Sequence, residues 1–207
     1  MASSFDGIDE PGHLLLPVLS LREVCLFPGA SLAAGIGRPA ALQAVEMAQR
    51  TGGRLLAAAQ MDPAAVLPGS SDLHAVGTVA QLAGLDCAAG TDVRVELDGR
   101  RRARIVSLIG TQAQVAEVEP LDEGDPGDEW GPAVEALARY LHAHAELRAF
   151  LDKQRRSQEP MAWVNLACQH LPITATARQK LLACNALERC LKISRGLDAL
   201  LRKEQAT

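Results

Sequence analysis

The segment from Leu14 to Gly37, LLLPVLSLREVCLFPGASLAAGIG, constrains the fold more than any other part of the chain. Its apolar run from Leu14 to Leu19 suits a buried strand, and the Arg22-Glu23 pair ends the run. Phe27-Pro28-Gly29 then supplies a turn, and Ser31 to Ile36 reads as a second strand. Generic core does not explain such an order.

Gly37-Arg38-Pro39 opens a helix with Leu42, Val45 and Ala48 or Gln49 on one face, stopping at Gly52-Gly53. Arg54 to Gln60 is a third strand, followed by a Pro- and Gly-bearing loop, Met61 to Asp72, long enough to be mobile or functional. Leu73 to Leu85 continues the sheet. In Asp92 to Leu97, Val93, Val95 and Leu97 alternate with Arg94, Glu96 and Asp98, the period of a half-solvated strand. Asp98-Gly99 has turn chemistry, which predicts a hairpin with Arg100 to Ile105 as the returning strand. Leu108 to Val118 closes the sheet.

Glu123, Gly124, Asp125, Pro126 and Gly127 interrupt regular structure, so a boundary between two folding units falls at Asp122 to Glu129. The division is a flexible leader at 1–13, a β-domain at 14–120, a linker at 121–129 and a helical subdomain at 130–207. Within the last, Val134, Leu137, Tyr140 or Leu141 and Leu147 fit one helix, and Trp163, Leu166, Ala167 and His170 or Leu171 fit another. Thr174 can cap a helix holding Leu181 and Leu182. Asn185 with Glu188 resembles a capping box that opens the last helix, with Leu187, Leu191, Ser194, Leu197 and Leu201 along one side.

Composition narrows the function. Aromatic residues make up 3% of the chain and the formal net charge is −4, so stacking platforms and a broad attraction to phosphate are both lacking, which disfavours nucleic acid. No apolar run reaches the roughly 18 to 20 residues of a membrane span, and Met1 to Gly12 is acidic where a signal peptide is basic and apolar. The chain therefore reads as cytoplasmic, without membrane association. Five cysteines without paired spacing suit buried thiols.

Candidate sites carry structural readings first. Arg100, Arg102 and Arg104 would share a strand face, where Glu96 and Asp98 could pair with them across the hairpin; a partner surface and a nucleic-acid contact are the alternatives. Arg22 is expected to hydrogen-bond nearby carbonyls or a carboxylate. Cys168, His170, Cys184 and Cys190 lack the paired CxxC spacing of structural zinc sites, and His142 and His144 face different directions on a helix, so no metal site is expected. Nothing forms a GxxxxGK(S/T) phosphate loop. Ser157 and Ser194, with Lys153 and Lys192 nearby, read as surface helix residues rather than a catalytic dyad.

Leu14 to Gly37 resembles the opening of the Lon protease amino-terminal domain, approximately LPVLPLR(D/E)VVVFPG, with Ser20 and Cys25 as departures. Asp72 to Ala80 (DLHAVGTVA) and Val93 to Ile105 (VRVELDGRRRARI) are similar to two later family segments. The missing CxxC pairs separate the chain from cereblon-like proteins. The resemblance implies an α+β fold, a PUA-like, mostly antiparallel β-barrel carrying one helix, followed by an α-helical bundle. It also implies a non-catalytic region that recognises unfolded, damaged or degron-bearing polypeptides, with no cofactor and with self-association as a dimer or higher. The chain reads either as an amino-terminal part of Lon, an ATP-dependent protease, or as a free-standing adaptor. An RNA-binding PUA-like module is the rival class. The candidate substrate-binding residues are Leu26, Phe27, Pro28, Leu32, Val66 and Leu67, although the same residues can equally seal the barrel.

Overall fold

A computed structural model describes residues 12–87, 93–155 and 159–205. The leader expected at 1–13 lies, apart from its last two residues, outside the described residues.

Six strands form one sheet: β1 (Leu14–Leu21), β2 (Ser31–Ile36), β3 (Arg54–Ala59), β4 (Val76–Cys87), β5 (Val93–Ile109) and β6 (Val115–Pro120). Their order is β2-β5-β4-β3-β1-β6, and β6 also pairs with β5, so the sheet closes on itself like a barrel and leaves β2 at an edge. All pairings are antiparallel except β1 with β3. Parallel strands need a long crossover. Here it carries β2 and then α1 (Pro39–Arg50), which starts with Pro in its first turn and buries Ala41, Ala44, Val45 and Ala48. Leu42, expected on that face, is exposed, because the helix packs through its small residues.

Asp98-Gly99 does not turn. It lies within β5, one continuous strand of 17 residues. The physical reason is a close backbone approach: Gly99 N–H donates to the Ala30 carbonyl, and Gly29 N–H to the Gly99 carbonyl, both at 2.9 Å. A Cβ at Gly99 would run into the Phe27 carbonyl oxygen. Glycine is required here for room rather than for reversal. The hairpin reversal comes later, between β5 and β6, where Gly110 has φ 86°. The Phe27-Pro28-Gly29 turn forms as expected: Ala30 N–H bonds the Phe27 carbonyl at 3.1 Å and Gly29 takes φ 77°.

The helical lobe comprises α2 (Trp130–Ala143), α3 (Ala145–Gln154), α4 (Pro160–His170), α5 (Ala175–Ala183) and α6 (Ala186–Gln205). Leu147 thus belongs to a different helix from Val134. The chain breaks at His144, whose ring stacks on Tyr140 with centroids 4.1 Å apart. Thr174 caps α5 by accepting from Ala177 N–H at 3.2 Å, and Asn185 Oδ1 accepts from Glu188 N–H at 2.9 Å at the start of α6. Ala186, Arg189, Cys190, Ile193 and Leu197 form the buried face of α6, while Leu187 is exposed. That face is rotated from the expected one because Arg189 points inward.

The hydrophobic core of the helical lobe also contains Cys25, Phe27, Ala30 and Ala59 from the barrel side. Gly99→Ala should lower the unfolding free energy by about 1–3 kcal/mol through overpacking. Gly35→Ala, where a Cβ meets nothing within 4 Å, should change it by less than about 0.5 kcal/mol. Urea denaturation of both variants checks the contrast.

Candidate substrate-binding surface

The arginines of β5 do not form one solvated face. Arg104 is exposed and pairs with Glu119 on β6 at 3.4 Å, while Arg100 lies 3.8 Å from Asp98 on its own strand. Arg102, 2% exposed, turns into the junction between the lobes. Arg100 is the extra residue of a bulge in β5, opposite Val79 and Ala80, which takes it out of the alternation that Arg102 and Arg104 keep. Arg102 differs from Arg104 because Asp122 and Glu123 cover it. Arg102 Nε donates to Glu123 Oε2 at 2.5 Å, Nη2 to the Asp122 carbonyl at 2.7 Å and Nη1 to the Ala183 carbonyl at 3.2 Å.

Glu123 uses its other oxygen to accept from Arg189 Nη1. The Arg189 side chain is wholly buried. It also donates to the carbonyls of Leu181 at 2.9 Å and Cys184 at 2.7 Å and to Asn165 Oδ1 at 2.5 Å. Its guanidinium lies 5.7 Å from the centroid of the Phe27 ring. A buried guanidinium is tolerable only when its donors are satisfied and its charge is met, and Glu123 bridges both buried arginines.

Amide side chains from the helical lobe complete this clasp. Asn165 and Gln169, one turn apart on α4, hold the turn backbone: Asn165 Nδ2 donates to the Pro28 carbonyl at 3.0 Å. Gln169 accepts from Phe27 N–H at 2.9 Å and donates to the Ser31 carbonyl at 2.8 Å. Gln179 on α5 accepts from Cys25 Sγ at 3.2 Å and donates to the Val76 carbonyl at 2.7 Å. These residues were missed in the sequence, where a polar pair four apart within MAWVNLACQHL was the available signal.

The six candidate contact residues therefore separate. Leu26, Phe27 and Pro28 are buried, and Leu32 packs partly buried against the barrel core. Phe27 seals the junction, with α4 and α6 covering its turn. Val66 and Leu67 are 68% and 53% exposed, and Met61 beside them is 59% exposed. Their loop is closed by Met61 N–H on the Asp72 carbonyl at 2.7 Å. Gln60 Nε2 grips the Ala65 carbonyl at 3.0 Å, and Gln114 Nε2 the Pro68 carbonyl at 2.7 Å. A pinned base thus presents apolar tips, the form of a compact Ω-loop.

Arg22 is exposed and makes no hydrogen bond or ion pair among the described residues; the carbonyl-binding role expected of it belongs to Arg38, whose Nη2 donates to the Ser20 carbonyl at 2.8 Å. Burial pushes the Cys25 thiol up to about 11, with Arg178 pulling partly back, and Cys168 up to about 12, so both resist ionisation. No group of three or more His, Cys, Asp or Glu among the described residues is placed to hold a metal ion. Ser194 Oγ donates to the Leu191 carbonyl, Lys192 Nζ lies 2.7 Å from Cys184 Sγ, and Ser157 lies outside the described residues. No helix among the described residues is long and apolar enough to cross a membrane.

Fold and junction define a two-lobe module, a closed, mostly antiparallel sheet bearing one helix and clasped to a helical bundle. Residues 15–197 match the ATP-dependent protease La (LON) substrate-binding domain, and the chain belongs to that family. It is 28% identical over 201 residues to the Lon protease of Xanthomonas oryzae pv. oryzae, covering 91% of this chain and 23% of that protein. To Lon protease 1 of Thermus thermophilus it is 30% identical over 201 residues, covering 92% and 25%. The chain thus spans about a quarter of these relatives. The solved N-terminal domain of Mycobacterium avium complex Lon protease has the same fold, with TM-score 0.72 and 21% identity over 89% of this chain and 98% of that one. A Lon N-terminal domain protein from Xanthomonas campestris aligns with TM-score 0.59 and 22% identity over 86% and 95%.

Glu123→Gln keeps the side-chain shape but leaves two buried guanidinium groups without their counter-charge. It should cost about 3–5 kcal/mol in urea denaturation. Glu119→Gln, at the exposed Arg104 pair, should cost less than about 1 kcal/mol.

Proposed function

We propose that this chain recognises and holds unfolded or damaged polypeptide for a Lon-type ATP-dependent protease system in the cytoplasm, and that it carries out no catalysis itself. Its division into a β-domain at 14–120, a linker at 121–129 and a helical subdomain from 130 onward is part of the proposal. The observation that carries the reading is the pinned loop with Met61, Val66 and Leu67 exposed, in a chain of the substrate-binding family. Exposed apolar side chains on a fixed base contact the apolar segments that unfolded chains display. Leu26, Phe27, Pro28 and Leu32 act behind this surface by holding the lobes and barrel together. Parent protease or free-standing adaptor, the recognition surface is the same.

Val66→Ser with Leu67→Ser should weaken capture of a denatured client several-fold with an unchanged thermal melt. Phe27→Ala should instead lose about 3–5 kcal/mol of stability. A titration with denatured casein, run beside the melts, separates the two; undiminished capture by the Val66/Leu67 double variant removes the loop from the proposal. ATP turnover and casein cleavage by the purified chain should stay at background. RNA is the control ligand: salt-sensitive RNA binding without polypeptide binding would favour the rival module.

A further inference from the structure

Beside the apolar loop the barrel has a second opening, a groove of about 350 Å³ between the end of β1 and β2. Leu19, Ser20 and Leu21 form one wall, and Ala34, Gly35 and Ile36 the other. Both walls are strand edges. Among the described residues β2 pairs only with β5, and the Ser31 carbonyl faces away from β5, since it accepts from Gln169. Alternation along an antiparallel ladder turns the backbone groups of Ala33 and Gly35 the same way. On the other wall, the Leu21 carbonyl is taken by Gln60 N–H, whereas the Ser20 carbonyl points into the groove and meets Arg38.

Proteins usually blunt a free edge with charges, proline or a bulge. The β2 sequence SLAAGI has no charge or proline, its pairing with β5 is regular, and Ala33 and Gly35 are exposed. Its small side chains leave the backbone accessible. Two cations stand at this opening, Arg22 and Arg38. Among the described residues Arg38 bonds only neutral oxygens, those of Ser20 and Gln60. Desolvation and then the like charge of Arg22 both lower its pKa, so the pair repel each other, and neither is ion-paired among the described residues. In addition, α1 starts here with no side-chain cap and no acidic residue in its first turn. A carboxylate in the groove would relieve all three conditions.

We propose that an extended polypeptide segment bearing an acidic side chain adds as a strand along the edge of β2, with its carboxylate between Arg22 and Arg38. The ladder gives affinity without regard to sequence, and the arginine pair sets the preference. This deepens the recognition function proposed above and rests on it.

The test is fluorescence anisotropy of the full chain with a short fluorescein-labelled peptide of alternating Val and Thr, blocked at its C-terminus and carrying one central Asp. Replacing that Asp by Asn should weaken binding about tenfold. Arg22→Gln, at an exposed residue without a partner, should remove the Asp preference and leave the melt unchanged. Ala33→Pro should abolish binding while the β2–β5 ladder survives, since proline is tolerated where the N–H points off an edge. Equal affinity of wild type and both variants for the Asp peptide, with capture of denatured casein still dependent on Val66 and Leu67, overturns the groove and leaves the wider function standing. Loss of both peptide and casein binding in the wild type sinks both. An Asn peptide with a free C-terminus that binds as well as the blocked Asp peptide would move recognition to the terminal carboxylate and overturn the side-chain assignment. A dimer dissolved by Ala33→Pro, with no peptide binding, would assign the edge to a second copy of the chain.

Discussion

One carboxylate, Glu123, neutralises two buried guanidinium groups from opposite lobes, Arg102 on β5 and Arg189 on α6. Neither arginine could be buried alone at acceptable cost. Each lobe therefore requires the segment between them to lie in one place, and Glu123 comes from that segment. The Asp122 carbonyl bonds Arg102, and the Glu123 carbonyl accepts from Ala186 N–H at 2.7 Å, so backbone as well as side chain is fixed. Arg189 in turn lies against the Phe27 ring, which couples this charge cluster to the turn that seals the barrel.

The surfaces proposed for recognition depend on that clasp indirectly. With Leu26, Phe27 and Pro28 consumed in the junction, the contact proposed for a client falls instead on the exposed Met61, Val66 and Leu67. The same junction orients the β2 edge, because Gln169 on α4 holds the Ser31 carbonyl where the strand begins. Rigid interior and accessible rim thus arise from one arrangement: the polar groups of the junction are satisfied internally, whereas the apolar loop tips remain uncovered.

Local features were legible in the sequence and non-local ones were not. Ser31 to Ile36, the Pro28-Gly29 turn, the start of α1 and the caps at Thr174 and Asn185 are encoded within a few residues of where they act, so spacing and residue type sufficed. Gly99 looked like a turn because glycine after aspartate usually is one; its actual reason, the Phe27 carbonyl, is distant in sequence. Strand alternation aligns Arg100, Arg102 and Arg104 in the sequence, but a bulge displaces Arg100 and the Asp122–Glu123 segment covers Arg102, and neither leaves a clear mark there. Burial of Phe27 depended on Asn165, Gln169 and Arg189, which only the folded chain brings together. The exposure of Val66 and Leu67 follows from a loop bearing Pro63, Pro68 and Gly69 that has few ways to hide apolar side chains.

The Glu123 cluster should make barrel and helical lobe a single cooperative unit across the 121–129 segment. Differential scanning calorimetry of the intact chain tests it most directly, by comparing the measured unfolding enthalpy with the van't Hoff enthalpy of the same transition. A cooperative unit unfolds in one transition in which the two agree. Two resolved transitions, or a calorimetric enthalpy well above the van't Hoff value, would contradict it.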